Sequence, residues 1–108
     1  MTGLFSYPKR KLKKLINEGE YEEAIRFGNQ LEQKFSNDPD FLFIMGSMYY
    51  ILNEEKKTLR YIDRVLEINE YDVESLSLKL RVHEYLKENE LVINCCKKIL
   101  KVDPDNFE

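Results

Sequence analysis

The densest chemistry in this sequence is a basic run, Lys9-Arg10-Lys11-Leu12-Lys13-Lys14. Clustered lysine and arginine side chains bind phosphates and carboxylates and release counterions when they do. The run can be the solvated face of a terminal helix, a docking site for an acidic protein, or a nucleic-acid site. The rest of the chain weighs against the last. Five of the 17 basic residues lie within residues 9–14, and all 20 acids follow them. Residues 15–108 thus hold 12 basic and 20 acidic side chains, a net charge of −8 that would repel a long polyanion.

The other reactive residue types are sparse. His83 is the one histidine, so neither a two-histidine metal site nor a nucleophile paired through a second histidine can be assembled. It falls on the inward phase of its helix and reads as a packed core residue. Cys95 and Cys96 are adjacent, a spacing that strains an intramolecular disulfide and is not C-x-x-C. The repeat phase turns Cys96 inward beside Ile62, as a small apolar filler. Two reduced thiols fit a reducing cytoplasm, with an intermolecular disulfide as the alternative. Acidic residues are many, but nothing builds a pocket to split the pKa values of a pair. No glycine-rich phosphate loop, nucleophile elbow or zinc spacing occurs. The reading is a non-enzyme with no catalytic residue, no metal and no cofactor.

The elements that position these residues are helical throughout. Apolar residues recur at i, i+3, i+4 and i+7, without strand alternation. Helices are expected over about 7–17, 21–35, 39–52, 54–68, 73–86 and 89–102. Gly19 follows the first helix at a position suited to positive φ. Asp38 and Asp72 are placed as N-caps, and Pro39 takes the first helical position, where proline is tolerated best. The third helix is apolar nearly all round (Phe41, Leu42, Phe43, Ile44, Met45, Met48, Tyr49), which suits the centre of a stack. Gly46 within it costs helix propensity and points to close approach of a neighbour. A length of 108 residues suits one domain burying roughly 65% of its unfolded surface. No run approaches the ~18 apolar residues of a membrane span, and the opening residues do not read as a signal peptide.

The helices repeat. Ala24, Thr58 and Val92 stand 34 residues apart, as do Leu31, Val65 and Ile99, with Leu66 and Leu100 extending the second series. A period of this size marks helix pairs that bury their apolar faces by stacking on one another. In these residues the chain resembles the tetratricopeptide-repeat family over about 5–106, as repeats 5–38, 39–72 and 73–106 of a single domain. Gly46 and Tyr49 match the glycine and tyrosine of the middle repeat. Gly19, Tyr21 and Ala24 match the turn glycine, the aromatic that opens the second helix, and the alanine that follows. Asp103-Pro104-Asp105-Asn106 matches a repeat boundary. The first repeat departs from the pattern with Pro8 and Leu12, the third with Leu80 and His83.

The resemblance implies an all-α solenoid, antiparallel helix pairs stacked into a right-handed superhelix whose concave groove takes a partner's peptide segment. By family position the groove is lined by Lys9 and Lys13, by Phe43, Ser47 and Tyr50, and by Ser77, Arg81 and Glu84. The partner is expected to be a protein or peptide, acidic or amphipathic, met by apolar contacts from Phe43, Ile44 and Tyr50 and oriented by Lys9, Lys13 and Arg81. Some members grip a C-terminal carboxylate with basic and amide side chains from three repeats. Here Lys9 matches the first of those positions and Lys13 stands where asparagine is usual. Ile44 takes the middle amide position, and Glu74 and Leu78 take the two basic ones, so that clamp is not expected.

Two other readings stay open. Repeat stacks end in a helix with a polar outer face, yet this sequence reaches Phe107 and Glu108 just as another repeat would begin. The chain is then a fragment of a longer array, or a self-associating module joined through the last helix. A nucleic-acid-reading helical repeat would carry polar base-reading residues at fixed phases. The series Lys13, Ser47, Arg81 and Asn17, Ile51, Tyr85 show no such code, and neither nucleic acid nor membrane is expected as a partner.

Overall fold

Asp38 and Asp72 each start a helix by turning a carboxylate onto its first free amides. Asp38 accepts from the N–H groups of Asp40 and Phe41, at 2.9 and 3.2 Å, and Asp72 from that of Ser75 at 3.1 Å. These caps answer donors that no helical carbonyl can reach. The computed structural model describes residues 2–106 and the side chains of residues 7–106. The side chains of residues 2–6, and Met1, Phe107 and Glu108 as a whole, lie outside that range, including the chain end discussed above. Six helices run in order: α1 (Thr2–Asn17), α2 (Tyr21–Leu31), α3 (Pro39–Ile51), α4 (Glu55–Ile68), α5 (Val73–Tyr85) and α6 (Asn89–Val102). No strand occurs among the described residues.

The turn inside each pair is built the same way three times. Gly19, Asn53 and Lys87, each 34 residues from the next, have φ of 77°, 60° and 61°. The residue after each donates its N–H five residues back: Glu20 to Leu15, Glu54 to Tyr49 and Glu88 to His83, all at 2.9 Å. Such a left-handed residue with a six-to-one bond satisfies the last carbonyls of a helix and reverses the chain. The same three glutamates then offer their carbonyls to Ala24, Thr58 and Val92, beginning the second helix. The series Ala24, Thr58, Val92 is thereby the first fully bonded turn of α2, α4 and α6.

Within each pair the helices are antiparallel, α1 with α2, α3 with α4 and α5 with α6. Across pairs α3 touches both α1 and α5, and α4 packs on α5. Helix α3 is therefore covered from several sides: Phe41, Leu42, Met45 and Met48 have no exposed surface. Close approach is possible because two glycines omit a side chain. A Cβ on Gly46 would sit 2.8 Å from Cδ1 of Ile62, and one on Gly28 would sit 2.6 Å from Sδ of Met45. A second cluster, Leu76, Leu80, Cys95 and Ile99, forms the core of the last pair.

Three expectations are corrected here. Helix α1 begins at Thr2 rather than near Tyr7, so Pro8 lies inside it. Helix α2 ends at Leu31 rather than Phe35, because α4 captures the segment that follows. Arg64 donates to a Glu32 carboxylate oxygen and to the Ser36 carbonyl, both at 2.9 Å, and the Tyr61 hydroxyl donates to the other Glu32 oxygen at 2.8 Å. Phe35 stays buried by stacking on Phe41, centroids 5.8 Å apart. The third concerns the thiols. Cys95, not Cys96, is the buried one, packed with Leu76 and Leu80, while Cys96 is half-buried. Ile62, one repeat earlier, is fully buried with its Cδ1 against Gly46 of α3, whereas the last pair has Leu80 at the phase of that glycine.

Candidate functional site

The inner faces of α1 and α3 and the start of α5 enclose a groove of about 500 Å³. Its α1 wall supplies Lys9, Lys13 and Asn17 one turn after another along one side, with Arg10 next to Lys9. Its floor is apolar, with Ile16, Phe43, Ile44, Ile51 and Val65, and Ser47 lies among them. Asp72 and Glu74 line it around the start of α5, and Asp40 lines it at the start of α3, beside Lys9. The groove therefore has a basic wall on α1, an apolar floor, and acidic side chains at the start of α3 and around the start of α5.

Of the residues expected to line the groove, Lys9, Lys13, Phe43 and Ser47 are brought together there. Tyr50 lies in a separate pocket of about 290 Å³ that shares Ile51 with the groove. Ser77, Arg81 and Glu84 line neither. The third pair enters the groove through its N-terminal turn, so Asp72 and Glu74 take the place expected for Ser77 and Arg81, which continue the same side of α5 beyond it. Arg10, Ile16, Asn17, Pro39, Asp40, Ile51, Val65, Asp72 and Glu74 also line the groove and are not among the residues that family position assigns to it.

The basic run is not one patch, because a helix distributes six consecutive residues around its axis. Lys9 is turned onto the start of α3, 2.9 Å from Asp38 and 3.5 Å from Asp40, with its side chain only 12% exposed. Burial works against its charge, but the hydrogen bond and attraction of Asp38, with Asp40 behind them, outweigh it and hold its pKa above the ordinary lysine value. The Lys9 charge is thus spent inside the molecule. Lys11 lies over the Phe27 ring at 4.6 Å. Arg10 and Lys13 are exposed in the groove and form no ion pair with a described residue.

His83 is buried as expected and donates from Nδ1 to Glu88 at 2.8 Å, tying α5 to the turn before α6. Burial raises the Cys95 thiol, which disfavours its reactive thiolate. Among the described residues no group of histidine, cysteine, aspartate or glutamate is arranged to hold a metal ion, and no helix is long and apolar enough to cross a membrane.

No protein-family model matches the chain. Over 79 residues, 67% of its length, it is 37% identical to the anaphase-promoting complex subunit CDC16 of Saccharomyces cerevisiae, of which it spans 9%. It superimposes on a solved structure described as the first TPR of Spaghetti (RPAP3) bound to HSP90 peptide SRMEEVD. The TM-score is 0.80 at 20% identity, covering 93% of this chain and 81% of that one. The fold is therefore that of tetratricopeptide repeats, three helix pairs in tandem, as the 34-residue spacing implies.

Proposed function

We propose that this chain is a protein-interaction module that holds an amphipathic peptide segment of a partner in the groove between α1, α3 and α5. The observation that carries this reading is the apolar floor of Phe43, Ile44 and Ile51 lying beside two exposed, uncommitted cations, Arg10 and Lys13. The peptide-bound state of the structural neighbour supports the same use of the same fold. Apolar side chains of the segment desolvate the floor and supply affinity. An acidic side chain meets Arg10 and Lys13, which sets direction and register more than strength.

The partner is not held by its C-terminal carboxylate in this reading. Ile44, on the groove floor, offers no amide, and Glu74 presents a negative charge where such a clamp needs a positive one. Arg10 rather than Lys9 orients the segment together with Lys13, since Lys9 is bound to Asp38 and Asp40. Capture from lysate, with nuclease present, by the chain and by an Arg10→Glu/Lys13→Glu/Ile51→Asp form tests the reading. A protein retained by the first alone, and competed off by its own isolated segment, is the expected result. Equal retention by both would refute it.

A second reading rests on α6. Ile93 and Leu100 are 53% and 39% exposed, with half-buried Cys96 between them, on one helical face at i, i+3 and i+7. A second copy of the chain meeting this face would cover it, and light scattering that shows a strict monomer at high concentration would dismiss that dimer.

A further inference from the structure

The pocket beside the groove has a chemistry of its own. Two tyrosine rings stand at it, Tyr50 from α3 and Tyr85 at the end of α5, 37% and 73% exposed. Among the described residues neither ring stacks on another aromatic or lies under a cation. Glu54 and Glu55, at the start of α4, add two carboxylates, and no lining side chain is basic. Neither carboxylate forms an ion pair or caps a helix among the described residues: Glu54 stands at the N-cap of α4 without a side-chain bond. Of the two lysines in the first turn of α4, Lys57 is turned onto the Tyr49 ring at 5.2 Å, and Lys56 is exposed, does not line the pocket and forms no ion pair with either glutamate.

Aromatic faces attract cations through their quadrupole, and carboxylates at the same pocket add direct charge. Ile51 borders both this pocket and the main groove, so a segment lying across the groove floor runs onto the tyrosines without leaving the surface. We infer that the Tyr50–Tyr85–Glu54–Glu55 pocket takes a lysine or arginine side chain of the partner segment, which therefore carries an acidic residue toward α1 and a basic residue on the far side of its apolar centre. This inference rests on the groove being the peptide site. It adds the charge order of the ligand, and with it the direction in which the ligand lies.

The probe is a random dodecapeptide library displayed on phage and selected on the intact chain. The strongest binders are then synthesised with their basic residue replaced by citrulline or norleucine. Affinity is read by fluorescence anisotropy on the unaltered chain, on Glu54→Gln/Glu55→Gln and on Arg10→Glu/Lys13→Glu. The replacement in the peptide leaves the protein's fold untouched. It is expected to weaken binding to the unaltered chain about tenfold, and binding to the glutamine form less than twofold. Peptides that bind, need Arg10 and Lys13, and are indifferent both to their own basic residue and to Glu54 and Glu55 would overturn this inference and leave the groove standing. Failure to select any peptide, or binding indifferent to both pairs of substitutions, would overturn both.

Discussion

Nζ of Lys9 lies 2.9 Å from Oδ2 of Asp38, while Oδ1 of the same carboxylate caps α3. One aspartate thus joins the first helix of the first pair to the first helix of the second, and fixes the spacing of two groove walls. Asp38→Ala removes the cap and leaves a largely buried ammonium without its main partner. The expected loss is about 1–3 kcal/mol, the sum of a cap and a part-buried pair. Lys9→Met keeps the stem packed and should cost less. Urea midpoints of the two variants check the order.

Stability should fall as the solution becomes strongly alkaline. Burial, and then the hydrogen bond to Glu32, raise the Tyr61 hydroxyl well above its ordinary value of 10.0, and Lys9 is raised above 10.5. In each case the folded chain keeps a proton that the unfolded chain gives up first. The contribution is therefore complete below about pH 10 and lost as pH rises through the folded values. Thermal melts from pH 8 to 11 should decline above pH 10, and Tyr61→Phe should make that decline shallower.

Lys87 occupies a conformation that Gly19 occupies in the first pair, with φ of 61°. A side chain there costs about 1 kcal/mol that glycine does not incur. Lys87→Gly should raise stability by about 0.5–1 kcal/mol, whereas Gly19→Lys should lower it. A higher urea midpoint for Lys87→Gly at unchanged slope confirms the turn.

Gly46→Ala gains helix propensity but drives a methyl to 2.8 Å from Ile62 Cδ1, in a site with no exposed surface. Overpacking of this kind costs about 1–3 kcal/mol and exceeds the gain. Adding Ile62→Val removes the offending carbon, so the double variant should be more stable than the sum of the two single losses predicts.

The repeat architecture was legible because it depends on local chemistry: Asp38 before Pro39, Asp72 before α5, and apolar residues at helical spacing. The positive φ at Asn53 and Lys87 shares the phase of Gly19, but neither residue type announces it as glycine does. What stayed hidden depends on contacts distant in sequence. The end of α2 follows from Glu32 and Ser36 meeting α4 residues some thirty positions away, which no periodicity in α2 records. Lys9 and Lys13 look equivalent on a helix, and only the folded position of Asp38 separates a clasp from a free cation. For the groove, the α1 and α3 walls could be placed by family position. The part taken by Asp72 and Glu74 depends on how α5 leans against α3, which a linear pattern does not encode. Cys96 shares the phase of Ile62, but Ile62 is buried against Gly46, and the last pair has Leu80 at that glycine's phase.

The most direct test of the groove places a photo-crosslinking benzoylphenylalanine at Asn17, exposed within the groove, or at Gln30, exposed on α2 outside it. Each form is irradiated with the partner segment recovered by capture. Cross-links from position 17, abolished by Arg10→Glu/Lys13→Glu, and none from position 30, are the predicted result. Cross-links from position 30 with position 17 silent would contradict the account and move the binding surface to the outer helices.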